Sequence, residues 1–202
     1  SDVAIAGGSL ESNLASGGGG IDVQGTSKLV LKESVLVRDN KCSDGGSGGG
    51  VSVGTESSLL AKEGTLIERN VGGHGGGVSV SGKGSTVSLE KTSLVGNLAS
   101  NGGALALLNA TSAVLSQCIF SLNKAQRRNL VANQMNLPSM VGHGGDIFSS
   151  FSMLSMSKSS SSNATADGDG GSIWLQASNV EVDTTTTIGA AAQGRGGALA
   201  AT

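Results

Sequence analysis

Gly18-Gly19-Gly20-Ile21-Asp22-Val23 decides the fold, because the same pattern returns six more times along the chain. It reads next as Gly48-Gly49-Gly50-Val51-Ser52-Val53, Gly75-Gly76-Gly77-Val78-Ser79-Val80 and Gly102-Gly103-Ala104-Leu105-Ala106-Leu107. Gly144-Gly145-Asp146-Ile147-Phe148-Ser149, Gly170-Gly171-Ser172-Ile173-Trp174-Leu175 and Gly196-Gly197-Ala198-Leu199-Ala200-Ala201 complete the series. Counted from Ile21 between the first apolar residues of successive copies, the steps are 30, 27, 27, 42, 26 and 26. An apolar residue three before an Asn gives a second marker: Leu10/Asn13, Val37/Asn40, Ile67/Asn70, Leu94/Asn97 and Phe120/Asn123. Its steps are 27, 30, 27 and 26. Two independent markers with one period specify a stack of repeated units.

A third alternating stretch lies between the markers: Leu29/Leu31, Leu59/Ala61, Val87/Leu89, Ala113/Leu115, Leu154/Met156 and Val180/Val182. All three stretches alternate apolar and polar residues with period two, the spacing of half-buried strands, and lack helical i, i+3, i+4 spacing. Strands this short bury an apolar face only by stacking on their equivalents in the next circuit. The expected fold is all-β: a right-handed parallel β-helix with three strands per rung and about seven rungs, the hand following from the crossover preference. The long step places one insertion after the fourth strand-mark rung, over 124–142. Residues 1–202 read as a single β-helix segment of a longer protein, since both ends fall inside a repeat.

Composition agrees. The chain has 202 residues, with 34 glycines, one proline, no tyrosine, one Trp and three Phe, so its core must be aliphatic. Thirteen basic against 15 acidic side chains leave a net charge of −2 and no basic stripe, which argues against nucleic acid as a partner. No apolar run approaches the roughly 18–20 residues of a spanning helix, so no membrane insertion is expected. Ile188/Ala191 is the weak remnant of the Asn marker after Asn123.

The pairing of Gly-Gly-Ala-Leu at 102–105 and 196–199 with Phe120-Ser121-Leu122-Asn123 resembles the GGA[ILV] and FxxN repeats of the chlamydial polymorphic outer membrane proteins. The resemblance covers most of the chain, from Leu10 to Leu199. Three of the seven copies read Gly-Gly-Gly-Ile/Val instead, and Phe precedes the Asn only once. It implies a pectin-lyase-like β-helix in a secreted, often adhesive passenger domain.

The residues that carry chemistry are few. Asn40, Asn70, Asn97 and Asn123 would turn inward at a bend and form a ladder of amides. Phe148 and Trp174 occupy one outward position on consecutive rungs, so their rings should stack about 5 Å apart. Such a pair would hold a sugar ring or a partner's apolar face if exposed, or be covered by the insertion. Arg127 and Arg128 in that insertion are further binding candidates, because loops leaving a solenoid are where recognition sits. His143, Asp169 and Arg195 are vertical neighbours that could pair electrostatically. His74 and His143, two rungs or about 10 Å apart, cannot share a metal ion. Asp167-Gly168-Asp169-Gly170-Gly171 resembles a calcium turn but occurs once, whereas such turns bind by repetition. Neither a metal nor a cofactor is expected.

Cys42 and Cys118 lie three rungs apart, beyond the ~7 Å reach of a disulfide. Asn109-Ala110-Thr111 and Asn163-Ala164-Thr165 match the glycosylation pattern. Thr184 to Thr187 share one rung and build no ice-binding face. The outward column Asp22, Ser52, Ser79, Ala106, Phe148, Trp174, Ala200 contains one carboxylate and no pair. The expected function is therefore a non-enzymatic structural or adhesive segment of an extracellular or cell-surface protein. Its partners would be protein segments or subunits of a fibre or surface assembly, with carbohydrate as a further class. The alternative is a polysaccharide lyase or hydrolase whose active site is not evident in this segment.

Overall fold

The structure is a computed structural model that describes residues 1–43, 46–126 and 142–202. Three seven-stranded sheets, parallel throughout, run the length of the molecule. Each circuit of chain adds one strand to each sheet, which makes a parallel β-solenoid of seven turns. Asp2–Ala6 begins the first sheet, Ser9–Glu11 the second and Ile21–Val23 the third; Asn179–Asp183, Thr186–Ile188 and Leu199–Ala201 end them. No helix occurs among the described residues.

The register aligns the repeats residue on residue. Ile21, Val51, Val78, Leu105, Ile147, Ile173 and Leu199 form one continuous column of the third sheet. Leu29, Leu59, Val87, Ala113, Leu154 and Val180 form another in the first sheet. These side chains face inward and constitute the core, most of them wholly buried in the middle turns. Each buried Val, Leu or Ile contributes roughly 1.5–3 kcal/mol, and no turn gains it without a neighbour.

A fourth element joins the three expected strands. Two-residue pieces between the second and third sheets pair from turn to turn, as in Leu98–Ala99, Lys124–Ala125, Thr165–Ala166 and Ala191–Ala192. Cys42, Ala99, Ala125 and Ala166 point inward here and are buried, small side chains at a narrow corner. Lys124 and Ala125 therefore stack with the turns, although the expected insertion included them. Gly142 is also joined to the stack, its carbonyl accepting from Gly168 N–H at 2.8 Å.

The glycine doublets have two separate causes. From the third copy onward the first glycine, Gly75, Gly102, Gly144, Gly170 or Gly196, turns the corner in the left-handed region, with φ 61° at Gly102. The second meets the next turn so closely that no Cβ fits: one on Gly76 would stand 2.6 Å from Leu98 N. The third position faces inward and varies, which is why Gly77, Ala104, Asp146 and Ser172 are all found there.

Candidate functional site

The inner corner carries a chain of amides. Asn13, Asn40, Asn70, Asn97 and Asn123 each follow a residue with positive φ: Ser12, Asp39, Arg69, Gly96 and Leu122. That turn directs the side chain inward. Asn40 donates its backbone N–H and its Nδ2 to Asn70 Oδ1 at 3.0 and 3.1 Å. Asn70 does the same to Asn97, and Asn97 to Asn123, at 2.9–3.1 Å. The second Nδ2 proton of Asn70, Asn97 and Asn123 goes to the carbonyls of Val37, Ile67 and Leu94, each at 2.9 Å. Buried polar groups cost little only when fully bonded, and these are.

The series ends on a residue that pattern reading missed. In the sixth turn the position stacked on Asn123 is Ala164, because Lys124 pairs with Thr165. Asn123 Nδ2 instead donates to Asp146 Oδ1 at 2.8 Å. Asp146 is 1% exposed, and its other oxygen accepts from Ser172 Oγ at 2.9 Å and from Ser161 Oγ. Burial pushes its carboxyl up to about 6, against the pull of these three donors. One signal could have found it: a charge enters the third doublet position in the turn where the Asn series stops. The remnant marker Ile188/Ala191 is corrected by one residue, since Ser161 pairs with Thr187 and leaves Ile188 facing outward and exposed.

The outer face of the third sheet carries the aromatic column. Phe148 and Trp174 stack with ring centroids 4.6 Å apart and planes 11° apart, between Ala106 and Ala200. His143 stacks on Trp174 at 4.8 Å and 17°, and His74 tilts against Phe148 at 6.3 Å. The pair is buried, at 8% and 7% exposure, so the exposed platform for a sugar ring is not present. Trp174 Nε1, His74 Nδ1 and Ser79 Oγ have no hydrogen-bond partner among the described residues. Desolvation lowers the pKa of both imidazoles. Arg127 and Arg128 lie outside the described residues.

At the corner before this sheet a second ladder appears, in place of the expected ion pairing. Asn101 Oδ1 accepts from His143 N–H at 3.1 Å, His143 Nδ1 from Asp169 N–H at 3.0 Å, and Asp169 Oδ1 from Arg195 N–H at 2.6 Å. His143, Asp169 and Arg195 thus meet through backbone N–H groups. Among the described residues the ion pairs between turns lie elsewhere, at Glu11–Arg38 and Asp39–Arg69. Inner and outer ladders run in opposite directions along the axis. Among the described residues no group of three or more His, Cys, Asp or Glu could hold a metal ion.

Cys118 belongs to a column of hydroxyls. Thr65, Thr92, Ser159 and Thr185 each donate to a carbonyl two or three residues earlier, at 2.8–3.2 Å. Cys118 Sγ takes that role beside Ser116 O at 3.5 Å and Leu89 O at 3.3 Å. Cys42 and Cys118 are both buried and form no disulfide. Asn109 and Asn163 are exposed in tight turns with φ 62° and 52°. Sequence and fold comparisons with family models, curated proteins and solved structures find no match. The likeness to polymorphic outer membrane protein repeats therefore rests on its short motifs alone.

Proposed function

We propose that this chain is a structural or adhesive β-helix segment of an extracellular or cell-surface protein, a rigid rod that presents its outer faces and its insertion to partners. The supporting observation is where its polar side chains are spent. Asn40 to Asn123, Thr65 to Ser159 and Asn101 to Asp169 all bond turns or corners of the solenoid itself. Such columns stiffen a shaft along its axis. The outward column of the first sheet, Val30, Leu60, Ser88, Val114, Ser155 and Glu181, joins one carboxylate to aliphatic and hydroxyl groups. That column holds no carboxyl pair, the arrangement that most retaining and inverting sugar hydrolases use. Asn109 and Asn163, exposed within glycosylation patterns, fit passage through a secretory route.

The test combines two measurements on the chain. Pulled from its termini, it should resist and release length in steps of single turns. Incubated with polygalacturonate or alginate, it should yield neither new reducing ends nor unsaturated products. Saturable cleavage that disappears in Glu181→Gln would overturn the proposal in favour of a carbohydrate-active enzyme.

A further inference from the structure

The interior changes character between the fifth turn (112–150) and the sixth (153–176). The amide ladder stops at Asn123, with Ala164 in its place above. The second-sheet column Val37, Ile67, Leu94, Phe120 gives way to Ser161 and then Thr187. In the third sheet Ser149 interrupts the column between Leu107 and Leu175. Both the polar series and part of the aliphatic packing that join earlier turns are therefore missing at this level.

Asp146 stands in the gap. It closes the fifth turn by accepting from Asn123, which lies on the other side of the insertion, and it reaches the sixth turn through Ser161 and Ser172. We propose that Asp146 is a protonation-controlled clasp between the fifth and sixth turns: neutral, it holds the last two turns against the shaft, and ionised, it lets them open as a unit. The physical argument is one of charge burial. Among the described residues, Asn123, Ser161 and Ser172 are the groups that face the carboxyl, none of them titrates, and no cation compensates it. When Asp146 is neutral, its own proton is donated to one of the two hydroxyls, which turns round to accept. The hydrogen bonds are conserved and the buried charge disappears. Opening exposes the carboxyl to water, where it ionises freely, so the open form gains as pH rises from 3.8, the ordinary value, through the folded value of about 6. On the flanking corner His143 acts separately, through Asp169 N–H and in the opposite sense.

Hydrogen exchange tests this, with rates normalised for the intrinsic effect of pH. Between pH 7.5 and pH 5, amide protection in 153–201 should rise by roughly tenfold. Protection in 58–108 should stay level. Asp146→Asn should abolish the difference, and so should Asp146→Ser, which copies Ser172 and serves if the amide variant folds poorly. His143→Asn should retain it. Equal protection at both pH values, a response shared by all turns, or a response that survives in both Asp146 variants would overturn the clasp.

Discussion

Asn123 and Asp146 are hydrogen-bonded at 2.8 Å across the insertion of the fifth turn, so the amide series of the solenoid ends on a buried carboxylate. Every earlier Asn passes its amide to the Asn of the next turn; this one passes it to a residue of its own circuit. The acceptor is supplied by the doublet marker, and the donor by the Asn marker.

Removing one rung of the ladder strands its neighbours. In Asn97→Ala, Asn70 loses the acceptor for its N–H and Nδ2, and Ile67 O loses a donor. The expected cost is about 2–4 kcal/mol, read from urea unfolding. Asn13→Ala, at the exposed first turn, should cost less than half as much. Equal effects at the two positions would show that the ladder is not a cooperative unit.

Cys118 should behave as a hydroxyl in disguise. Cys118→Ser is expected to keep the unfolding free energy to within about 1 kcal/mol, because Thr92 and Ser159 hold the same column position. Burial pushes the thiol up to about 11, so in the folded chain at pH 8 Cys118 should resist iodoacetamide, and in urea it should react. Peptide mapping after labelling separates it from Cys42.

Leu122 holds an avoidable strain. It is an exposed leucine at φ 57°, in a column where Gly96 and Asn163 also adopt positive φ. Asn tolerates this region better than Leu does. Leu122→Asn should therefore stabilise the chain by up to about 1 kcal/mol, seen as a higher Tm. A lower Tm would mean that the leucine side chain contributes packing.

His143 sets an acid limit. Its Nδ1 accepts Asp169 N–H, so the folded state requires the neutral imidazole with its proton on Nε2. Burial lowers its pKa below 6.5, the unfolded value. For a base depressed on folding, the stabilisation is complete above the unfolded pKa and is lost as pH falls from there through the folded pKa. Nitrogen chemical shifts should report the Nε2–H tautomer at pH 7, and His143→Asn should remove this component of acid sensitivity.

The stacking of turns was legible because two markers repeat with one period, and each of Ile21 to Ile173 reports the same column. The short corner strands were not, since two residues such as Lys124–Ala125 are too few to show alternation. Asp146 escaped because it occupies a position read as a turn, and its bond to Asn123 depends on Ala164 having vacated the ladder. The vertical pairing of Phe148 with Trp174 follows from the register, but their burial does not. Period-two spacing says which face a side chain takes and nothing about what else reaches that face.

The opposed senses of the two ladders bear on how long such a rod can be. Each ladder residue bonds only its immediate neighbours, so deleting residues 71–97 would bring Asn70 onto Asn123 with the same donors and acceptors in place. Length can thus change in whole circuits without redesigning a seam, while a cut of any other size would leave both corners out of phase.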